Sequence, residues 1–158
     1  MSIILGLDLA ERTGICVLES EQKRILWSNT VRLATRDPQA RVLALKELLS
    51  GVITRFHPVE MAIEDVFLPE RTSPRTPISL GELRGVARLC AAEAGMQVFF
   101  YPPARVKMAI TGSGRAEKAD VIRMIENEFA IHVADDNQAD AIGIAYTHLL
   151  MNRIRNAT

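Results

Sequence analysis

The sequence lacks net charge, a cysteine pattern and a long hydrophobic run. Its 19 Lys and Arg balance 19 Asp and Glu, so any basic surface for nucleic acid must be local. Cys16 and Cys90 have neither a CxxC partner nor a nearby metal-type histidine, which predicts buried, reduced thiols. No apolar run approaches about 18 residues and no leader with a cleavage site is present. We therefore expect a cytoplasmic protein with no membrane partner.

What the sequence does contain is a regular order of apolar runs and helical patterns. At 158 residues and 48% hydrophobic, it predicts one globular domain over residues 1–158. Strands are predicted over residues 2–9, 14–19, 25–33, 61–66 and 96–101. An N-cap at Asp37 with Pro38 begins a first helix, which ends at His57-Pro58. Further helices are predicted over residues 78–95, 103–110, 116–129 and 135–154, with loops at 68–77 and 111–114.

This order of elements predicts the fold class. Three meandering strands are followed by strands that alternate with crossover helices. The expected fold is α/β, with one five-stranded mixed sheet flanked by helices on both faces. That is the ribonuclease H-like architecture.

Acidic residues stand where strands end and where the last helix begins. Asp8 lies near the end of the first strand and Glu64 near the end of the fourth. Asp135, Asp136 and Asp140 begin the last helix, and residues 136 and 140 share a helical face. Carboxylates brought together repel one another unless a cation joins them. Oxygen ligands suit Mg²⁺ or Mn²⁺, and two such ions about 3.5–4 Å apart can clamp a phosphodiester displacement.

Each acidic residue also has a purely structural interpretation. Asp8 fits a turn, and Glu64 fits a solvated strand end. Asp135 is a good N-cap, and Asp136 would favour the helix dipole. Asp140 lies in an Ala-, Ile- and Gly-rich segment that should be buried, so it is the hardest to explain without a function. The joint pattern is more specific than any single member.

Four stretches resemble RuvC-type Holliday-junction resolvases, in the same order and over essentially the whole chain. They are IILGLDLAERTGICVL, MAIEDVF, VKMAITGSGRAEKADV and QADAIGIAYTH. The resemblance implies a ribonuclease H-like fold, a homodimer, and Mg²⁺-dependent symmetric nicking of four-way or branched DNA junctions. A phage or prophage variant would fit the same pattern.

The resemblance also implies roles for the acidic residues, with one departure. Asp8, Glu64 and Asp140 match metal-binding acids of the family. The family usually has Asp or His three residues before the last Asp, where this chain has Asn137. We predict that Asp136 supplies the missing ligand, with Asn137 as a weaker candidate and Asp135 as the third.

Basic and aromatic residues complete the predicted site. Lys107 and Lys118 match family lysines near the scissile phosphate, where a cation offsets developing charge. Phe67 matches an aromatic residue that projects toward the junction centre, where bases can stack on it. Residues 71–123 hold nine Lys and Arg against four Asp and Glu, a local basic footprint. The predicted DNA-binding residues are Phe67, Arg71, Arg75, Arg84, Lys107, Arg115 and Lys118.

Two further inferences concern neighbours of this site. Asp65 follows Glu64 directly, so it should point to the opposite side of the strand, away from a metal ion. The second helix contains the small residues of GVARLCAAEAG, and in the family the equivalent helix pairs across the dimer.

Other functions remain open at this stage. A RuvX/YqgF-type RNA-processing nuclease shares the GLD opening. A non-catalytic junction-binding protein would explain Asn137. A sugar-kinase or actin-type ATPase has a similar first strand, but this chain is short for a two-lobed cleft. Neither a cleavage sequence nor a branch-migration motor is indicated by any residue.

Overall fold

The predicted strands and helices all form, with small changes at their ends. The computed structural model describes residues 1–33, 36–65 and 75–157. The strands are β1 (Ile3–Asp8), β2 (Arg12–Glu19), β3 (Arg24–Arg32), β4 (Glu60–Glu64) and β5 (Gln97–Tyr101). The helices are α1 (Pro38–Phe56), α2 (Arg75–Glu93), α3 (Pro103–Thr111), α4 (Lys118–Phe129) and α5 (Asp136–Asn156). Phe67 and Arg71, two of the predicted DNA-binding residues, lie outside the described residues.

The strands of the described chain form one sheet in the order β3-β2-β1-β4-β5. Strands β1, β2 and β3 pair antiparallel, whereas β4 pairs parallel to both β1 and β5. The mixed sheet expected from the sequence is therefore confirmed. Since β1 and β4 are parallel neighbours, their carboxyl ends meet at one edge of the sheet.

Each face of the sheet has its own hydrophobic core. Helices α1 and α2 cover one face, where Leu45 and Leu83 pack with strand residues such as Leu7. Helices α3, α4 and α5 cover the other face, where Ile142 packs with Ile4. Helices thus flank the sheet on both sides, as predicted.

Helix α2 begins earlier than the sequence indicated. We expected the Pro-rich loop to run to residue 77, but the helix starts at Arg75. A proline is tolerated there because the first four N–H groups of a helix have no intrahelical partner. Within the described part of the chain, none of the helices combines the length and apolar character needed to cross a membrane.

Candidate active site

Two of the predicted acidic residues meet at the edge where β1 and β4 end. The parallel register pairs Leu7 of β1 with Ile63 of β4, so Asp8 and Glu64 follow side by side. Residues alternate between the faces of a strand, and both carboxylates fall on the side that α5 covers. The sheet therefore brings together residues that are 56 positions apart in the sequence.

Asp140 reaches the same edge because α5 lies directly on the backbone of β1 and β2. A Cβ atom on Gly14 would stand 1.9 Å from the carbonyl oxygen of Asn137, and one on Gly6 would stand 2.5 Å from that of Ala141. Real side chains do not approach so closely, so only glycine permits this contact. The helix thus holds Asp140 near Asp8.

The three carboxylates share an environment that disfavours their charge. Burial, followed by the Asp140 and Glu64 carboxylates, raises the pKa of Asp8 to about 7. Burial and then Asp140 also raise the pKa of Glu64. Burial likewise raises the pKa of Asp140. Such shifts indicate buried negative charge without enough positive charge to balance it.

Two lysines border this cluster. A cavity of about 240 Å³ is lined by Glu64 and Asp140 together with Lys107 and Lys118. Lys118 is the first residue of α4, where the helix dipole disfavours a cation. Its Nζ lies 3.0 Å from Asp136 Oδ2 and 3.6 Å from Asp140 Oδ2. The lysine bridges the two acids that the sequence placed on one helical face.

The structure separates the three candidates for the remaining ligand. Asp135 is the N-cap of α5, and its Oδ1 accepts hydrogen bonds from Gln138 N (2.9 Å) and Thr30 Oγ1 (2.6 Å). Its Oδ2 pairs with Arg12 at 3.1 Å. The hydrogen bond from Thr30 is the main reason that the pKa of Asp135 is lowered. The side chain of Asp135 is therefore already bonded to Thr30 and Arg12 of the β2–β3 hairpin.

Asp136 and Asn137 differ in what holds them. The side chain of Asp136 is 57% exposed, and its ion pair within the described residues is with the Lys118 ammonium. The backbone carbonyl of Asn137 is the group pressed against Gly14. Asp136 thus carries a negative charge beside the cluster, paired with an exposed lysine, and Asn137 carries no charge.

The donor set fits a hard divalent cation. Among the described residues, no three Asp, Glu, His or Cys side chains lie close enough to hold one ion as they stand. The expected convergence of four carboxylates is thus looser than a complete coordination shell, as mutual repulsion would produce. Carboxylate oxygens are ligands that Mg²⁺ and Mn²⁺ prefer, and an ion among these half-buried carboxylates would supply the missing positive charge.

The predicted basic residues do not all lie beside the cluster. Arg75 and Arg115 are exposed, at the start of α2 and between α3 and α4. Arg84 lies on the opposite side of the sheet, where its Nη1 is 3.3 Å from Asp65 Oδ1 and its guanidinium covers the Phe100 ring at 4.4 Å. Asp65 therefore turns away from the carboxylates, as its position after Glu64 predicted.

Sequence reasoning missed the two glycines that seat α5. Gly6 lies within the quoted GLD opening and Gly14 begins the second predicted strand, but neither drew attention. The available signal was a glycine inside each of two strand patterns, which often marks close approach of another backbone.

The comparisons with known proteins identify relatives over almost the full chain. The family model described as crossover junction endodeoxyribonuclease RuvC matches residues 4–148. A crossover junction endodeoxyribonuclease RuvC from Anaeromyxobacter sp. (strain K) is 39% identical over 150 residues, covering 93% of this chain and 80% of that protein.

Solved structures show the same architecture. The Thermus thermophilus RuvC structure matches with a TM-score of 0.85 and 27% identity, covering 97% of this chain and 96% of that one. A second structure, T. thermophilus RuvC in complex with Holliday junction substrate, has a TM-score of 0.84 and 24% identity, covering 96% of each chain. The ribonuclease H-like fold expected from the order of elements is thereby confirmed.

Proposed function

The chain belongs to the RuvC family of crossover junction endodeoxyribonucleases, and on that premise we propose that it resolves four-way DNA junctions by symmetric phosphodiester hydrolysis at the carboxylate cluster. The observation that carries this proposal is the meeting of Asp8, Glu64 and Asp140 at one sheet edge, with pKa values raised by burial. A family nuclease needs a cation site at that edge, and the chain supplies its ligands there.

The acidic residues would hold two divalent ions, with Mg²⁺ as the expected metal and Mn²⁺ as an alternative. Asp8, Glu64 and Asp140 are the core ligands, and Asp136 completes the set. When bound, the ions activate water and neutralise charge on the phosphate. Asp8 must first lose its proton, since a carboxylate binds a cation only in its ionised form.

The two lysines would act on the phosphate rather than on the ions. Both line the 240 Å³ cavity beside Glu64 and Asp140. An ammonium group fixed there offsets the negative charge that develops as water attacks phosphorus. Lys118 would leave Asp136 when a cation takes over its carboxylate, which frees the ammonium for the substrate.

A second copy of the chain is the proposed partner, because a junction offers two equivalent strands to two equivalent sites. We place the dimer contact on α2. Leu89 of this helix is 51% exposed, and it lines an apolar groove of about 390 Å³ with Val86 and with Val42 of α1. Each copy would act as one domain, in a reducing cytoplasm that suits the buried thiols of Cys16 and Cys90.

The test is cleavage of a labelled synthetic four-way junction beside a linear duplex and a structured RNA, with Mg²⁺ or with EDTA. Paired nicks near the crossover, present only with Mg²⁺ and only on the junction, are expected. Cutting of the RNA alone would favour the RNA-processing alternative. Tight junction binding without cutting in Mg²⁺ or Mn²⁺ would make the chain a junction-binding protein and overturn the proposal.

The same assay identifies the fourth ligand. If this carboxylate binds the ion, Asp136→Asn should lower the cleavage rate at least about tenfold. A tenfold loss corresponds to about 1.4 kcal/mol of transition-state stabilisation. Asn137→Ala is the matched control. Full activity of the Asp136 variant combined with loss in the Asn137 variant would reverse the assignment.

A further inference from the structure

A buried polar network lies at the other end of α5 from the carboxylates, and the proposed function does not use it. His148 is completely buried. Its Nδ1 lies 2.6 Å from the hydroxyl of Tyr101, and its Nε2 lies 3.1 Å from Glu60 Oε2. Asn152 donates a hydrogen bond of 2.8 Å to the same Glu60 oxygen. Both ring nitrogens of His148 are therefore engaged.

Burial selects one of the protonation states of His148 that fit these contacts. Burial lowers the pKa of His148, which favours the neutral ring at neutral pH. With its hydrogen on Nε2, the ring donates to Glu60 and accepts from the Tyr101 hydroxyl. In this state the His148 ring is uncharged and forms a hydrogen-bonded bridge between Glu60 and Tyr101.

The bridge joins the elements that carry the metal ligands. Glu60 is the first residue of β4, and Glu64 is the last. His148 follows Asp140 by eight residues on α5, about 12 Å along the helix, while four strand residues span about 13 Å. Helix α5 and strand β4 run in opposite directions. The His148–Glu60 contact therefore lies at one end of this helix–strand pair, and Asp140 and Glu64 lie at the other. We call the arrangement of these four residues the frame.

Tyr101 links this frame to β5. It is the strand partner of Glu64 in the β4–β5 register, and its carbonyl accepts a hydrogen bond of 2.8 Å from Asp65 N. From that position its side chain reaches back to His148. The network thus connects α5 directly to Glu60 of β4, and through Tyr101 it connects α5 to the strand that pairs with Glu64.

The frame has unequal ends. At the carboxylate end, like charges push α5 and β4 apart when no cation is bound. At the His148 end, directional hydrogen bonds hold them together. A buried polar network adds less stability than apolar packing of similar volume, whereas its directional bonds can fix the geometry of the elements it joins.

We propose that His148, with Tyr101 and Glu60, is a positioning residue that sets the spacing between Asp140 and Glu64 for the metal ion. This inference rests on the proposed function, because it requires a cation at those carboxylates. His148 touches neither the ion nor the substrate. It acts by holding α5 against β4 while the carboxylates repel one another.

The experiment measures Mn²⁺ binding without DNA, from the loss of the free-ion electron paramagnetic resonance signal. Tyr101→Phe removes one bond of the bridge and His148→Leu removes both, whereas His148→Gln keeps a donor for Glu60. Side chains that hydrogen-bond directly to metal ligands are typically worth about tenfold to a hundredfold in affinity, so a bridge that acts through α5 and β4 should reach at most the low end of that range. We expect about tenfold weaker Mn²⁺ binding in the first two variants and a partial rescue in His148→Gln.

Thr147→Val is the matched control. Thr147 is as buried as His148, but its hydroxyl donates to Gly143 O inside the same helix, at 2.8 Å, and makes no other side-chain hydrogen bond within the described ranges. Both positions can lower the melting temperature, whereas only the bridge should change Mn²⁺ affinity. In junction cleavage, the Tyr101 variant should need more Mg²⁺ yet reach a similar rate at saturation.

Unchanged Mn²⁺ affinity in Tyr101→Phe would overturn the proposal, and this milder variant decides the outcome if His148→Leu does not fold. An equal loss in Thr147→Val would also overturn it, since general helix stability would then explain the effect. If the unaltered protein binds no Mn²⁺ and cuts no junction, the proposed function itself is wrong and this inference falls with it.

Discussion

Glu64 and Asp65 are consecutive acidic residues, but the two faces of the sheet receive them in opposite ways. On the α5 face, Glu64 is half-buried beside Asp8 and Asp140, and its pKa is raised by burial and by Asp140. On the α2 face, Asp65 has the Arg84 guanidinium 3.3 Å away. One face leaves its negative charge unbalanced, and the other provides a cation from the chain itself.

This difference in charge balance supports the proposal that Glu64 serves the chemistry, whereas Asp65 has a structural partner. Natural chains balance a buried carboxylate with an arginine or lysine, since an unpaired charge is costly. The α5 face offers Lys118 and Lys107 at the border of the cluster, and Lys118 is 54% exposed. The unbalanced face is the one that a metal ion would complete.

The largest effect on cleavage is expected from neutralising Glu64 on the α5 face, and neutralising Asp65 on the α2 face is the matched control. Glu64→Gln should lower junction cleavage at least about a hundredfold, because it removes a proposed ligand of the ion that would stabilise the transition state. Asp65→Asn should leave the rate within about twofold. Single-turnover cleavage at saturating Mg²⁺ measures both, and equal losses would erase the distinction between the faces.

The second-largest effect is expected on stability, because neutralising Asp8 should raise the free energy of unfolding. Asp8 has a folded-state pKa of about 7, above its ordinary value, so its contribution to stability is present below about pH 4 and is lost as pH rises through 7. Asp8→Asn should therefore be more stable than the unaltered protein at pH 8 by on the order of 2–4 kcal/mol.

This stability gain should disappear in acid. Urea unfolding in EDTA between pH 4 and pH 8 gives the free energy of unfolding of both proteins, and the difference between them should shrink toward zero at the acid end. Addition of Mg²⁺ at pH 8 should stabilise the unaltered protein more than the variant. A constant difference across this range would contradict the unbalanced charge on the α5 face.

The third effect tests Lys118 as the partial counter-charge. Lys118→Met removes the cation between Asp136 and Asp140, so Mn²⁺ should bind about threefold to tenfold more tightly, while cleavage falls because the ammonium no longer serves the phosphate. Lys118→Arg should restore the weaker Mn²⁺ affinity. Titration of Mn²⁺ without DNA separates the two roles, and weaker ion binding in Lys118→Met would refute the competition.

The smallest effect is expected on the balanced face. Arg84→Gln removes the partner of Asp65 at a partly exposed site, so the free energy of unfolding should fall by about 1 kcal/mol or less. Mn²⁺ affinity should not change. Junction binding measured across salt concentrations tests the sequence prediction that Arg84 also contacts DNA, which requires the salt slope to fall by about 1.

The sequence predicted those parts of the site that depend on strand ends and helix starts. Asp8, Glu64 and Asp140 could be selected because acids are unusual in apolar segments, and Asp135 could be recognised as an N-cap, which the structure confirms. The side of the strand on which Asp65 lies followed from alternation alone.

The parts that sequence could not supply depend on contacts between distant segments. Nothing near Gly14 indicates that the carbonyl of Asn137 will rest on it. His148 reads as one more residue of an apolar helix, because its partner Tyr101 is 47 positions away. The Lys118 bridge to Asp136 likewise appears only when α4 and α5 are packed together.

The seat of α5 on Gly6 and Gly14 has a consequence for biosynthesis. The first two strands leave the ribosome early, but the helix that completes the site is the last element of the described chain. Such long-range contacts form late, and synthesis proceeds at about 5–20 residues per second. A nascent chain can thus begin to fold its sheet while lacking Asp140, and the nuclease would acquire its activity only when the final helix docks.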